Sequence, residues 1–414
     1  MFELLKQNQY LRRVCGLLLI LALYQLFVFT DPWVVYNYEY TDLARNIAAG
    51  KGYIGSGFFR IMTAPSAFLQ PVYAYLMAGV IFVFNSLSWA FFVLRLMQIF
   101  MLLVLCVVVY RIARQLYGEL SAQVSALLLA LYWPLISLTG FVWDTMLFCL
   151  LVALIVHLAL SYSNRSYKEA AWLGLVLGVT TLTNSVILAF AVLLFVYWLA
   201  KYRSEVSKVA VIILVMIAVI LPWSARNSLV FHSFVPLRTG FWFNLYLGNN
   251  PDATGTIYLR HQGFIPKNFD EGITFHFAPL SRDIAYLNEH ELDQYLRPKA
   301  IAFILSDLPR WLDLTARKFY YFWWFNPYEA NNWFWMTEYA FILFGAVSGI
   351  YFSWRERRRI TVLLLAFAAW TVVYGLTGPF FNWKYRAPLE PLLIVLAGYG
   401  WVKLAGLWSG RSRR

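Results

Sequence analysis

The sequence is poor in charged side chains, which make up 13% of its 414 residues, whereas 61% of the residues are hydrophobic. A soluble domain carries about 25% charged residues. Several apolar stretches reach the roughly 20 residues that a helix needs to cross the hydrocarbon layer of a membrane. The scarcity of charge therefore excludes an ordinary soluble enzyme and predicts an all-α, polytopic membrane protein.

Cysteine is also scarce, and the three that occur, Cys15, Cys106 and Cys149, all lie in apolar stretches. This position predicts buried packing residues rather than disulfides or metal ligands. The histidines show no metal-ligand spacing, and glycine-rich phosphate-binding motifs are absent. We therefore predict no metal or nucleotide cofactor.

Hydropathy predicts about ten transmembrane helices, with boundaries near 11–29, 89–112, 120–138, 144–162, 169–183, 185–200, 208–223, 333–353, 360–377 and 387–405. Basic clusters flank these stretches, and the positive-inside rule places such clusters in the cytoplasm. All of them fall on that side only if the further apolar stretch 66–84 does not cross completely. The net charge of +13 then lies on the cytoplasmic side, where anionic lipids rather than nucleic acid balance it.

This topology predicts one membrane-embedded domain over 1–405 and a basic cytoplasmic tail over 406–414. Two long outer segments interrupt the domain: 30–88, with juxtamembrane helices, and 224–332. Basic residues precede the first apolar stretch and no small-residue cleavage pattern follows it, which predicts an uncleaved signal anchor. Both termini are then cytoplasmic, and we expect the cell membrane, a bacterial inner membrane, as the location.

Acidic residues at the outer ends of the spans are the first candidates for chemistry. Glu39, Asp42 and Arg45 recur every three residues, which puts them on one face of a helix. They fit either a carboxylate base with an orienting cation or a solvated helix with an internal ion pair. Asp144 opens a predicted span and fits either a helix N-cap or a site residue.

The sequence Lys384-Tyr385-Arg386-Ala387-Pro388-Leu389-Glu390-Pro391 stands at the outer end of the last span. Two cations beside an apolar surface suit the phosphate of a lipid carrier. The alternative is that both side chains only extend along the membrane interface.

Taken in order, several short motifs resemble those of the membrane-embedded glycosyltransferases with the C-type fold, a group that includes protein O-mannosyltransferases and the aminoarabinose transferase of lipid A. They are Tyr40-x-x-x-Ala44-x-x-Ile47-x-x-Gly50-x-Gly52-Tyr53, Gln70-Pro71-Val72-Tyr73, Asp144, Pro222-Trp223-x-x-Arg226-Asn227, Gly248-Asn249-Asn250-Pro251-x-Ala253-x-Gly255 and Tyr385-Arg386-x-Pro388-x-Glu390-Pro391.

The resemblance implies a sugar donor linked to polyprenyl phosphate, an active site on the outer face, and a first-loop carboxylate that activates the acceptor hydroxyl. Relatives carry that acid a little earlier in the loop. Here Glu39 is the nearest acid and Asp42 the second, and Asp144 supports or replaces them. Relatives also place a lysine where this chain has Gln70. The expected donor-binding residues are Arg45, Arg60, Gln70, Asn249, Asn250, Lys384, Tyr385 and Arg386.

The sequence thus predicts an inverting glycosyltransferase of the cell envelope. Its partners would be membrane lipid, a polyprenyl-phosphate-linked sugar, and a lipid, glycan or protein acceptor. A non-catalytic lipid-carrier flippase or transporter, or an assembly subunit, remains the alternative. Transporters place polar groups in the middle of the span and often contain repeats. The acids here cluster at the outer span ends instead, which favours the enzyme.

Overall fold

Apolar helices form nearly all of the part of the chain that the computed structural model describes, which is 2–36, 39–55, 64–161, 166–202, 205–256, 280–284, 286–325, 333–379 and 383–411. The α-helices are α1 Phe2–Gln7, α2 Gln9–Tyr24, α3 Glu39–Ala48, α4 Pro71–Phe84, α5 Leu87–Tyr117, α6 Glu119–Leu131, α7 Trp133–Ser137, α8 Thr145–Leu160, α9 Tyr167–Thr181, α10 Ile187–Lys201, α11 Val206–Phe231, α12 Phe241–Gly248, α13 Ser281–Ile284, α14 Glu289–Ser306, α15 Leu308–Trp323, α16 Trp333–Ser353, α17 Thr361–Leu376 and α18 Glu390–Arg411.

Every stretch that was predicted to cross the membrane is helical. Five helical segments are long and apolar enough to span: Gln9–Phe29, Leu87–Tyr117, Val206–Phe231, Trp333–Arg359 and Ala387–Trp408. A sixth is the pair α6 and α7, whose axes differ by 53°. The other predicted spans, α8, α9, α10 and α17, have 15 or 16 residues. The all-α multi-pass class is confirmed, whereas the number of ten spans remains a prediction.

Glycines allow two helix pairs of the bundle to pack closely. A Cβ on Gly349 of α16 would overlap the Leu396 carbonyl of α18, and a Cβ on Gly174 of α9 would lie 2.6 Å from the Ile212 carbonyl of α11. Small residues let helix backbones approach in a membrane, where packing rather than the hydrophobic effect drives association. These contacts join helices that are close to each other in the sequence.

Two helices, α3 and α4, lie within 30–88, the segment that the sequence predicts to be outer. A short antiparallel pair of strands, β1 Ile54–Gly55 and β2 Ala64–Pro65, connects α3 to α4. Pro71 begins α4. Proline is favoured at this position because the N–H groups of a first helical turn have no acceptor within the helix, so the missing N–H costs no hydrogen bond. Asn85 ends the helix in the left-handed conformation. These two residues bound a helix of 14 residues.

Helix α11 continues beyond its predicted end at residue 223 and reaches Phe231, with Pro222 inside it. Membrane helices tolerate an internal proline when the surrounding structure accommodates the freed backbone. The second outer segment, predicted over 224–332, thus begins with the last turns of α11.

Two of the later helices in this segment begin at side-chain caps. Asn288 and Glu291 form a capping box at the start of α14, and Asp307 accepts from the Arg310 backbone N–H at the start of α15. Such caps satisfy the otherwise unpaired N–H groups of a first turn. These caps fix the residues at which α14 and α15 begin.

Candidate active site

A cavity of about 740 Å³ lies where the two outer segments meet the predicted outer ends of the spans. Its walls come from the starts of α3 and α8, the turn before α10, the region around α12, and the residues around the end of α17 and before α18. The polar residues that line it are Glu39, Gln70, Asp144, Thr145, Asn184, Ser185, Arg238, Asn244, Thr377 and Lys384, together with the phenols of Tyr40, Tyr374 and Tyr385.

Helix α3 brings Glu39 into the wall of the cavity. Acidic residues in a first turn are favoured by the helix dipole, and the buried Tyr40 fixes the helix by edge-to-face contacts with Tyr73 and Trp143, at 5.2 and 5.0 Å between ring centroids. Asp42 and Arg45 lie on the same helix and are half-buried. Among the described residues, neither belongs to the cavity lining.

Asp144 stands immediately before α8 and is only 5% exposed. It occupies the N-cap position, yet its side chain makes no capping hydrogen bond. Its carboxylate instead accepts from the Asn184 side chain, at 3.5 Å, across the cavity wall. A buried carboxylate that is not used as a cap remains available to a ligand.

Gln70 lies on the same side of the cavity as Asn184. The Gln70 side-chain amide donates to the Ser185 hydroxyl, at 3.1 Å, and the Val72 backbone N–H donates to the Leu182 carbonyl. These bonds attach the start of α4 to the turn between α9 and α10. Gln70 is thereby a lining residue with a structural hydrogen bond of its own.

The sequence 384–386 divides between two environments. Lys384 and Tyr385 line the cavity, and the Lys384 ammonium lies 3.5 Å from the centroid of the Phe141 ring, a cation–π contact. Burial raises the pKa of the Tyr385 phenol, so this hydroxyl is a hydrogen-bond donor at neutral pH.

Arg386 lies outside the lining of the cavity and is fully buried. Its guanidinium donates to Glu390, at 3.2 Å, and to the Phe322 carbonyl, at 2.9 Å. It also lies 3.6 Å from the centre of the Tyr339 ring. The charge of Arg386 is thus balanced within the protein, and the side chain attaches the start of α18 to α15 and α16.

Asn249 and Asn250 brace the cavity from behind. The Asn249 side-chain amide donates to the carbonyls of Leu245 and Thr377, both at 2.8 Å, and the Asn250 side chain donates to the Tyr246 carbonyl. These bonds close the end of α12 and attach it to the end of α17. Neither amide is among the lining residues. Arg60, the remaining predicted residue, lies outside the described part of the chain.

Arg238 is a lining residue that the sequence did not single out. It lies in the loop between α11 and α12, and its guanidinium is 4.7 Å from the centre of the Phe68 ring. The preceding carbonyl, of Leu237, accepts from the Trp223 indole and the Asn227 amide, at 2.7 and 3.1 Å. The Pro-Trp-x-x-Arg-Asn motif therefore positions Arg238, and this is the signal that was available in the sequence.

Glu289, at the start of α14, is a second residue that the sequence did not identify. Its carboxylate accepts from the Ser66 hydroxyl at 2.5 Å, the Ala67 N–H at 2.9 Å and the Thr239 hydroxyl at 2.9 Å. Burial raises the pKa of this carboxyl despite the three donors. Glu289 thus joins the second outer segment to the first, directly beside Arg238.

The cavity lining carries charges of both signs. The names acid wall, for Glu39 and Asp144 together, and cation wall, for Arg238 and Lys384 together, refer to the charge of these lining residues. A carboxylate can accept a proton from a hydroxyl, and paired cations suit a phosphate. Among the described residues, no three His, Cys, Asp or Glu side chains come together as a metal site would require.

Residues 65–225, less than half of the chain, match the model of the dolichyl-phosphate-mannose-protein mannosyltransferase family. No match to a curated protein sequence is significant. The matched region includes Gln70, Asp144 and the Pro222-Trp223 pair of the motif that positions Arg238, but it ends before Arg226 and before the cation wall.

The fold is similar to that of the oligosaccharyltransferase of Archaeoglobus fulgidus. The structure of its apo form aligns with a TM-score of 0.53 at 15% identity, over 95% of this chain and 51% of that one. The complex of the same protein, AglB, with an inhibitory peptide and a dolichol-phosphate gives 0.52 at 15%, over 99% and 52%. The chain therefore spans about half the length of that protein.

ArnT from Cupriavidus metallidurans, solved with bound undecaprenyl phosphate, aligns over 94% of this chain and 77% of that one, at 15% identity and with a TM-score of 0.44. The resemblance to membrane glycosyltransferases that the motifs predict is confirmed by the family match and by the fold of the archaeal protein. The chain is a multi-pass membrane protein with the C-type glycosyltransferase fold, and its residues 65–225 carry the pattern of the mannosyltransferase family.

Proposed function

We propose that the protein transfers a sugar from a polyprenyl-monophosphate carrier to an acceptor hydroxyl on the outer face of the membrane. One observation carries the proposal: two carboxylates and two cations line a single cavity. Transfer requires both, because the acceptor must lose a proton while the carrier phosphate leaves with added negative charge.

The cation wall would hold the phosphate. Arg238 can present a planar pair of donors and Lys384 a point charge, and the Tyr385 hydroxyl adds a neutral donor. These groups stabilise the negative charge that develops on the leaving phosphate. Electrostatic stabilisation of this kind is usually the largest single contribution to enzymatic rate enhancement. The aromatic residues around them exclude the water that would otherwise hydrolyse the donor.

The acid wall would activate the acceptor. A carboxylate takes the proton of the acceptor hydroxyl, the oxygen bonds to the anomeric carbon, and the bond to the phosphate oxygen breaks with its electron pair. This single displacement inverts the anomeric configuration. We assign Glu39 as the base with Asp144 in support, and Asp42 becomes the weaker candidate because it does not line the cavity.

The charge distribution supports an outer location for the reaction. By the positive-inside rule, the basic clusters that flank the spans favour a cavity on the outer face and cytoplasmic termini. In a bacterial inner membrane this is the periplasmic side. The acceptor is then a lipid, glycan or protein that reaches this face.

Glu39→Gln and Asp42→Asn, on the same helix, test the proposal as a pair. In purified protein in lipid nanodiscs supplied with a polyprenyl-phosphate-linked sugar, Glu39→Gln should lower transfer at least about 100-fold, since a general base contributes about 10² or more. Asp42→Asn should change it by about twofold, as a substitution away from the cavity does.

Three results would contradict the proposal. Full transfer by Glu39→Gln and by Asp144→Asn would remove the acid wall from the mechanism. Binding and translocation of the lipid-linked sugar without any transfer would identify a transporter. Absence of donor binding to the intact protein would identify an assembly subunit.

A further inference from the structure

Arg95, in the third turn of α5, is completely buried, at 0% exposed. Its guanidinium donates three hydrogen bonds to backbone carbonyls: Nε to Gly140 at 3.1 Å, Nη1 to Pro32 at 2.7 Å and Nη2 to Val34 at 2.8 Å. The proposed mechanism gives this side chain no role, since it does not line the cavity.

The three carbonyls belong to two segments that lead to the two carboxylates of the acid wall. Pro32 and Val34 precede α3, which begins at Glu39. Gly140 ends the short helical turn Leu138–Gly140, four residues before Asp144. One buried cation therefore holds the backbone upstream of both acids.

Packing around the guanidinium shows that these segments meet there independently of its hydrogen bonds. A Cβ on Gly140 would overlap the Thr30 side chain. The Tyr36 ring stacks on Phe141, with centroids 6.1 Å apart, and the Arg95 guanidinium lies 5.7 Å from the Tyr36 ring. The junction is close-packed, so its geometry depends on the side chain that fills it.

A buried arginine at this depth is costly, and an ionisable residue within a membrane helix is by default functional. Bonds from a charged donor are about twice as strong as neutral ones. The planar fork of arginine reaches three acceptors in fixed directions, whereas the lysine ammonium sits at one point and cannot bridge the same carbonyls. The arrangement thus specifies arginine rather than any cation.

We propose that Arg95 is a positioning residue that sets the separation of Glu39 and Asp144 across the acid wall. The inference rests on the proposed function and extends it to a side chain outside the cavity. Loss of the guanidinium would let α3 and the segment before α8 move apart. A misplacement of about 1 Å can lower a reaction rate about 100-fold.

Two variants and one control test this role. Arg95→Met removes the three bonds, and Arg95→Lys keeps the charge in case the first variant does not fold. Gln98→Leu is the matched control. Gln98 is buried one turn further along α5, and among the described residues its side chain donates only to the Thr139 carbonyl, at 3.1 Å. It touches the segment before Asp144 but does not reach the one before Glu39.

The first readout is hydrogen–deuterium exchange of the full-length protein in nanodiscs. Arg95→Met and Arg95→Lys should increase exchange in both 30–36 and 138–144, and Gln98→Leu should increase it in 138–144 alone. The second readout is the single-turnover rate per bound donor. It should fall about 100-fold in Arg95→Met and about tenfold in Arg95→Lys, with the Kd for undecaprenyl phosphate unchanged because the cation wall is intact.

Unchanged exchange in either segment would overturn the inference. Increased exchange with a normal single-turnover rate per bound donor would show a purely structural brace, which also overturns it. If the wild-type protein binds the donor but transfers no sugar, the proposed function fails and the positioning role falls with it. That result is distinct from a transferring wild-type protein whose Arg95 variants transfer equally well.

Discussion

The acid wall and the cation wall of the cavity are each braced by a charge of the opposite sign, fully buried in one case and half-buried in the other. On the acid wall, the cation Arg95 binds the backbone upstream of Glu39 and Asp144. On the cation wall, the anion Glu289 binds the residue next to Arg238 and the loop beside it. In both cases the brace pairs with neutral backbone or hydroxyl groups, so the charges that line the cavity are not neutralised by direct ion pairs with it.

The difference between the two braces is equally informative. Arg95 comes from a long apolar helix within the region matched by the mannosyltransferase family. Glu289 comes from the second outer segment, which lies outside that region. The acid wall is therefore built from the matched region and its flanks, and the cation wall depends on a part of the chain that has no such match.

The largest expected loss of transfer comes from removing a carboxylate of the acid wall. Asp144→Asn should lower transfer about 100-fold, as expected when a carboxylate that acts on the acceptor is lost. When combined with Glu39→Gln, the effect should be far less than the product of the single effects, because groups that act as a unit are not additive. Initial rates with saturating donor check this prediction. A full product of effects would separate the two acids into independent roles.

A smaller effect should follow from breaking the cation wall. Arg238→Met should raise the KM for the lipid-linked donor about 10- to 100-fold, because a hydrogen bond to a charged group contributes about 1.5–3 kcal/mol. Arg297→Met is the matched control. Arg297 also lies against an aromatic ring, Trp242 at 5.2 Å, but it is not among the residues that line the cavity. Equal KM values for the two variants would remove Arg238 from the phosphate site.

The brace of the cation wall can be weakened without touching the cavity. Glu289→Gln keeps the shape of the side chain but loses charge-assisted bonds to Ser66, Ala67 and Thr239. We expect about a tenfold lower kcat/KM for the donor, equivalent to about 1.4 kcal/mol. Asp283→Asn, which removes an exposed carboxylate bonded to Tyr295 in the same outer segment, should leave kcat/KM at the wild-type value.

The smallest effect concerns stability behind the cation wall. Lys318 of α15 is 0% exposed and donates to Asn249 at 2.9 Å, and burial lowers the pKa of this ammonium to about 7. An unfolded lysine has a pKa of about 10.4. Between these values the unfolded state binds more protons, so the free energy of unfolding rises with pH from about 7 to about 10.

Thermal unfolding of Lys318→Met should lack this rise, whereas Arg317→Met, at the exposed neighbouring position, should retain it. Equal slopes of Tm against pH in the wild-type protein and Lys318→Met would show that Lys318 does not titrate in this range. The comparison uses one helix, so global effects of pH on the bundle cancel.

The motif before the last span shows why the sequence did not assign the cations by itself. Lys384 and Arg386 are two residues apart and look equivalent. The chain there forms 3₁₀ turns, in which residues two apart point in different directions. Lys384 consequently reaches the cavity, and Arg386 pairs with Glu390 in the core. Only the local backbone distinguishes them.

Helix α3 gives the same lesson at a different spacing. Glu39 and Asp42 lie on the same side of the helix, but their side chains point about 60° apart around its axis. Tyr40 decides which of them enters the cavity, because its contacts with Tyr73 and Trp143 fix the rotation of the helix. Those partners lie more than 30 and more than 100 residues away in the sequence, beyond the reach of any local pattern.

The sequence by itself determined the properties that depend on local composition. Long apolar runs make helices in a membrane because every backbone group must be paired within the segment, and the ends of those runs carry the acids and cations that chemistry needs. The sequence also singled out Glu39, Asp144 and Lys384, and these three residues line the same cavity. These features were readable without any knowledge of contacts.

Only the tertiary structure decided which charges share the cavity and which hold it together. Arg238, Glu289 and Arg95 are single residues in unremarkable surroundings of the sequence, and each acts on groups tens to more than a hundred residues away. A charged side chain can act on a ligand if packing places it in the cavity lining. It is structural if packing places it among polar groups of the protein instead. That choice is made by long-range contacts, and it separates the two walls of this site from their braces.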